Sequence, residues 1–134
     1  MKKTVIVLLM GLLPLLAVGQ TRTNLNPKYG ARASSINRVT KVEVTDTSTN
    51  LYFHIEYIPN WNIVVSDKSY IRVGNDRPKL PMKSHQGIAV GLNANWTMPA
   101  SGSADYMMSY PRVDDAAVTI DFIDEGGSGD GWNI

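Results

Sequence analysis

The clearest pattern along the chain is an alternation of apolar and polar residues that ends near position 58. Within residues 51–58 the side chains alternate with a period of two, and β-branched and aromatic types are common, which is typical of a half-buried antiparallel strand. One face carries Leu51, Phe53, Ile55 and Tyr57, and the other carries Tyr52, His54, Glu56 and Ile58. A Thr/Ser/Asn-rich turn separates this run from a similar alternating run before it.

Short apolar runs then recur about every ten residues, separated by Gly, Pro, Asp and Asn. They span residues 61–65, 69–74, 77–83, 87–92, 105–113 and 116–123. In the last run Val118, Ile120 and Phe122 share one face. This spacing predicts an all-β fold, an immunoglobulin-like antiparallel β-sandwich of about seven to eight strands over residues 36–134. Pro78 and Pro81 cannot donate to a strand ladder, so their segment is predicted to be an edge strand or a crossover loop.

The first residues have the layout of a secretory signal peptide, predicted over 1–19. Two lysines precede an apolar run, and Ala17 and Gly19 place small residues before the expected cleavage point. We therefore expect an exported protein, periplasmic or extracellular, with no membrane span in the mature chain. Residues 20–35 are polar and contain the turn sequence NPKYG, which predicts a flexible N-terminal segment or a strand that adds late.

Composition excludes several functions. The 134-residue chain has no Cys, which removes thiol chemistry, Cys-ligated metals and disulfide exchange. Without Lys2 and Lys3, 11 basic residues face 12 acidic ones, so the mature chain has no basic surface for nucleic acid. A mature chain of this size buries roughly two-thirds of its unfolded surface, enough for one core without disulfides.

The ending DFIDEGGSGDGWNI, residues 121–134, suggests a ligand loop because acidic residues alternate with glycines. It does not fit an EF-hand, which needs more oxygen ligands and a longer loop, and no helix follows that would suit a dinucleotide site. We predict a strand, a glycine turn and a closing strand. Asp124, Glu125 and Asp130 are weak candidate ligands for a cation; otherwise no metal and no cofactor is predicted.

Candidate catalytic groups are few. His54 and Glu56 lie two residues apart and project from one face of a strand, but a catalytic zinc site needs a third protein ligand. We therefore interpret them as part of a solvated polar face, with His54 at most hydrogen-bonded to its neighbour. No serine lies in a nucleophile elbow. The sequence predicts no catalytic residue and a protein that is not an enzyme.

Aromatic residues are the remaining candidates for contact with a ligand or partner. Trp61, Trp96 and Tyr106 could stack on a sugar ring or anchor a protein if they are exposed. For Trp61 and Trp132, and less strongly for Trp96, partial burial in the core is the favoured interpretation. Two functions follow: a module that binds a protein or a surface, or a carbohydrate-binding or adhesin-type module. Exposed and coplanar rings would favour the second.

Several stretches taken together resemble a small module of exported bacterial proteins. They are PNW (59–61), YIRVG (70–74), KLPMKSHQGIAV (79–90), WTMPASG (96–102) and the ending TIDFIDEGGSGDGWNI. In longer relatives this module resembles the β-rich region that precedes a thioredoxin-like domain. The resemblance spans about residues 36–134 and implies an exported β-sandwich accessory module. It carries over no redox activity, because this chain has no Cys and stops where the redox domain would begin.

Overall fold

A computed structural model describes residues 21–31, 36–91, 93–124 and 129–133, and within these ranges the chain forms strands and loops without a helix. The prediction of an all-β fold is confirmed, while the predicted signal peptide lies outside the described residues. The strands in chain order are β1 (Arg22–Leu25), β2 (Tyr29–Ala31), β3 (Asn37–Val44), β4 (Ser48–Glu56), β5 (Asn62–Ile63), β6 (Tyr70–Arg72), β7 (Leu80–Pro81), β8 (Ser84–Gln86), β9 (Trp96–Thr97), β10 (Ser103–Pro111), β11 (Thr119–Ile123) and β12 (Gly129–Asn133).

The strands form two five-stranded antiparallel sheets and a small ribbon. The first sheet has the order β1-β3-β4-β10-β8, the second has the order β2-β12-β11-β6-β7, and β5 pairs with β9 in the ribbon. Strand β7, which contains Pro81, lies at an edge of the second sheet, as this proline predicts. The immunoglobulin-like assignment stays a prediction.

The two sheets pack face to face through their aromatic side chains. The ring of Phe53 on β4 contacts Phe122 on β11 edge-on, with 5.4 Å between centroids, and Tyr110 on β10 approaches the same ring at 6.5 Å. Leu51, Phe53 and Ile55 are all buried, as one face of the predicted strand. The predicted face shared by Val118, Ile120 and Phe122 is wrong at Val118, because β11 begins only at residue 119 and Val118 is 69% exposed.

Three hydroxyl groups in the core, those of Ser69, Tyr110 and Thr49, have hydrogen-bond partners. The hydroxyls of Ser69 and Tyr110 lie 2.7 Å apart, and Thr49 Oγ1 accepts a hydrogen bond from the Val113 amide at 3.0 Å. These bonds offset the cost of removing the hydroxyls from water. Burial raises the pKa of the Tyr110 hydroxyl well above its usual range, so it stays protonated.

The N-terminal segment is more ordered than the sequence suggests. Where residues 20–35 are predicted to be flexible, β1 and β2 pair with β3 and β12, one strand in each sheet. Arg22 also ties β1 to a distant loop, because its guanidinium donates hydrogen bonds to the carbonyls of Ala117 and Asp114. A polar segment can pair in this way because the ladder uses backbone groups, which every residue but proline supplies in full.

The chain ending has the predicted strand pair. Strands β11 and β12 are antiparallel neighbours, with Ile123 opposite Gly129 and Ile120 opposite Trp132. The predicted glycine turn falls on residues 125–128, which lie outside the described residues.

Candidate binding surfaces

Three large apolar residues close together in the chain, between β4 and β6, are exposed: Ile58, Trp61 and Val64. Here we call this surface the tryptophan patch; Trp61 is 54% exposed. Trp61 is therefore more exposed than the predicted partial burial in the core. Large apolar side chains grouped on a surface mark sites that contact a partner more often than single ones do.

The backbone under this patch is held on several sides. The Trp61 amide donates to the Ile58 carbonyl at 3.3 Å, and the Met98 amide donates to the Trp61 carbonyl at 2.8 Å. Asn60 adopts a positive φ of 65°, which asparagine tolerates better than most residues, and this turns the chain into β5. The Tyr57 ring packs edge-on against the indole with 6.0 Å between centroids. Trp61 is thus presented to solvent from a fixed backbone.

The other two predicted contact aromatics do not join Trp61 in a platform. Trp96 lies opposite Ile63 in the β5–β9 ribbon and is half-buried against the core. Tyr106 is only 5% exposed, and its ring stacks on Phe53 at 4.9 Å because the two residues are paired across β10 and β4. The prediction of a contact role for Tyr106 is corrected by this burial. The side chain of Trp132 lies outside the described residues.

A second cluster surrounds His54 on the face of the first sheet that points away from the core. His54 Nδ1 lies 2.7 Å from Asp105 Oδ1 on the neighbouring strand β10, and Nε2 lies 3.2 Å from Glu56 Oε1. The sequence pointed to Glu56 but missed Asp105, which is the closer partner and is 51 residues away. Hydrogen bonds to these two carboxylates raise the pKa of His54, and the bond to Asp105 has the larger effect. Partial burial of the imidazole opposes the shift.

The His54 cluster does not form a metal site with the other histidine. His85 pairs with Met108, a core residue, so strand alternation places it on the opposite face of the sheet from His54. Its Nδ1 lies 2.9 Å from the Ile88 carbonyl oxygen. Over the part of the chain that the structure describes, no group of three or more His, Asp or Glu side chains is arranged to hold a metal ion.

The weak cation candidates at the chain ending lie only partly within the described residues. Asp124 is exposed directly after β11, and Asp130 lies on β12 opposite Phe122 in register. Glu125 and the side chain of Asp130 lie outside the described residues, so the cation site stays a prediction.

We expect His54 to titrate above the ordinary histidine value of about 6.5. Because its folded pKa is raised, its contribution to stability is fully present below the unfolded value and is lost as pH rises through the folded value. Proton NMR titration of the imidazole should show the raised pKa, and Asp105→Asn should lower it more than Glu56→Gln does. Urea unfolding should show a loss of stability at alkaline pH that is smaller in His54→Gln. A His54 pKa at or below the ordinary value would contradict this arrangement.

The same outer face holds an open groove of about 670 Å³ that crosses four strands. Here we call it the outer-face groove. Its lining includes Arg38 from β3, Tyr52 and His54 from β4, Asp105 and Met107 from β10, and Gln86 from β8. This groove could not be predicted from the sequence, because it forms only when strands far apart in the chain are neighbours in the sheet.

Comparison with models of protein families, with curated proteins and with solved structures finds no match to this chain. Within the described residues there is also no helix with the length and apolar character to cross a membrane.

Proposed function

We propose that this protein is a non-catalytic, exported β-sandwich module that binds a protein partner through the tryptophan patch. The observation that carries the proposal is the exposure of Trp61 on a backbone fixed by Ile58 and Met98. Tryptophan is among the residues that most often dominate binding energy in protein interfaces. A side chain on a fixed backbone also loses less conformational entropy when it binds.

Two features support a binding role over catalysis. Both ring nitrogens of His54 are within hydrogen-bonding distance of carboxylates, so the imidazole is tied to its neighbours on the sheet. The Arg112 guanidinium likewise pairs with Asp115 at 2.5 Å, and Arg77 pairs with Asp114 at 2.6 Å. These charged groups are therefore paired with other side chains of the protein. The predicted export and the resemblance to an accessory module that precedes a thioredoxin-like domain agree with the same role.

A carbohydrate at the tryptophan patch is the second candidate, because a single exposed indole can stack on a sugar ring. A sugar platform made of the three predicted aromatics would need their rings to be exposed together. Tyr106 is buried and Trp96 is half-buried, so the geometry favours a protein partner at this surface.

The test is photocrosslinking in the cells that produce the protein, with benzoylphenylalanine placed at position 61 or, as a control, at Val118, which is more exposed than Trp61. We expect a discrete protein adduct from position 61 alone, identified by mass spectrometry. Calorimetry with that purified partner should then show that Trp61→Ala weakens binding by about 30-fold, which corresponds to the loss of about 2 kcal/mol at a binding hot spot.

Val118→Ala is the matched control and should leave the affinity unchanged. Because more than half of Trp61 is exposed, Trp61→Ala should also change the unfolding midpoint little, so lost binding would not be explained by lost folding. Equal crosslinking from both positions, or full affinity in Trp61→Ala, would contradict the proposed function.

A further inference from the structure

The outer-face groove is built from two rows of side chains that run across the first sheet. One row is Tyr52, Met107 and Gln86, and the next is Arg38, His54 and Asp105. The side chains of each row are neighbours because their residues are paired in register. The residues between the two rows, Phe53 on β4 and Tyr106 on β10, are buried in the core. The rows therefore point to solvent together, and the groove belongs to a face that the core does not use.

The groove has an apolar floor and a polar rim. Tyr52 and Met107 are adjacent in register and only partly exposed, while Arg38, Asp105 and Gln86 are exposed around them. The volume of about 670 Å³ lies in the range of small-molecule sites, roughly 300 to 1,000 Å³. Gly87 follows Gln86 at a φ of +83°, and a Cβ there would lie 2.8 Å from the Asp105 carbonyl oxygen. This position therefore carries no side chain beside the groove.

The charges around the groove exclude several ligand classes. Arg38 disfavours a cation, and Asp105 disfavours a polyanion such as nucleic acid. A purely apolar ligand would remove Arg38 and Asp105 from water without replacing their hydrogen bonds, which is costly. A neutral ligand with many hydroxyl groups suits both signs of charge, because each hydroxyl can donate to Asp105 or accept from Arg38.

The rim groups match such a ligand in their hydrogen-bonding capacity. The Arg38 guanidinium offers several donors in a plane, the Gln86 amide offers donors and an acceptor, and the Asp105 carboxylate accepts at two oxygens. The hydroxyls of a sugar both donate and accept, and the C–H face of the ring can pack on Met107, because the Lys41 ammonium already lies over the Tyr52 ring at 3.9 Å from its centroid. We propose that the outer-face groove is a binding site for a neutral saccharide chain, separate from the tryptophan patch.

His54 acts as a positioning residue in this site. Its Nδ1 lies 2.7 Å from Asp105 Oδ1, which holds the carboxylate at the rim although the Asp105 side chain is 83% exposed. The second oxygen, Oδ2, provides an acceptor for a ligand hydroxyl. A carboxylate already held in place loses less side-chain entropy on binding than a mobile one.

The experiment is a nitrogen-15 NMR titration of residues 20–134, a range that contains every described strand of both sheets. The probes are neutral hexasaccharides of glucose, mannose and N-acetylglucosamine, with a sulfated hexasaccharide as the charged comparison. We expect saturable shifts of the amides of Arg38, His54, Gln86 and Asp105 with at least one neutral probe. Asp105→Asn should lower the affinity for that probe by about tenfold, because one charge-assisted hydrogen bond is lost. Gln86→Ala should weaken it less.

Trp61→Ala is the matched control and should bind the neutral probe as the parent chain does, with both variants keeping the dispersed amide spectrum of a folded sheet. Shifts confined to residues around Trp61 would overturn the groove site and move the sugar to the tryptophan patch. Tighter binding of the sulfated probe, or no shift at the groove with any neutral probe, would overturn it as well. Because the proposed function is tested by crosslinking to a protein at Trp61, the two proposals can fail independently.

Discussion

Replacing Phe53 with alanine is expected to destabilise the protein by about 3–5 kcal/mol, because the change removes a large buried side chain and leaves a cavity. The ring is 2% exposed, stacks on Tyr106 in its own sheet and contacts Phe122 in the other sheet. It is therefore one of the few side chains that join both layers of the sandwich. Urea unfolding followed by tryptophan fluorescence measures the loss.

Phe53→Leu is the matched control, since it keeps most of the volume and should cost about 1.5 kcal/mol or less. A typical domain has a total stability of about 5–15 kcal/mol, so Phe53→Ala should leave the fold marginal. A destabilisation below about 1 kcal/mol in Phe53→Ala would mean that the two sheets do not share this core.

Gly102→Ala is expected to have the second large effect, above about 2 kcal/mol, and to act on the tryptophan patch as well as on stability. Gly102 has a φ of +74°, which an alanine adopts only with strain. An added Cβ would also lie 2.8 Å from the Tyr57 carbonyl oxygen and 3.3 Å from Pro59. The backbone of residues 57–59 must then move, although the Tyr57 amide donates to the Gly102 carbonyl at 2.9 Å.

Gly91→Ala separates the effect of backbone strain from the effect of the close contacts with Tyr57 and Pro59. Its φ of +105° carries similar strain, but the nearest atom to an added Cβ is a carboxylate oxygen of Asp67 at an ordinary 3.5 Å. We expect Gly91→Ala to lose less stability in urea unfolding and to keep full affinity for the partner of the tryptophan patch. Gly102→Ala should lose both stability and affinity. If the two variants unfold at the same urea concentration, the collision with Tyr57 and Pro59 is not significant.

The two proposed surfaces lie close together along the chain. His54 of the outer-face groove and Tyr57, which packs on Trp61, are three residues apart at the end of β4. A module that held a saccharide in the groove and a protein at the patch would bring both to the same end of the first sheet. The variants Asp105→Asn and Trp61→Ala change one surface each, so their separate effects measure how far the two sites are independent.

The sequence by itself determined the all-β fold and the positions that face inward along β4. Alternation is a local property, and in a strand it assigns neighbouring side chains to opposite faces, so Leu51, Phe53 and Ile55 could be grouped without knowledge of their partners. The sequence also indicated the strand pair at the chain ending, where glycines allow a tight turn between two runs. The sequence did not favour paired strands in the polar N-terminal segment. Hydrogen bonds between strands depend little on side-chain type, so the side chains gave no signal for them.

Only the tertiary structure decided which aromatic rings are exposed and which polar groups meet. Tyr106 is buried because β10 lies beside β4 in a register that places it on Phe53, and Trp61 is exposed because it lies in a turn, where no period of two assigns a face. Asp105 reaches His54, and Gln86 reaches Met107, through the same long-range pairing. Register between distant strands is a property of the whole sheet, since each strand's position depends on the core that all of them share.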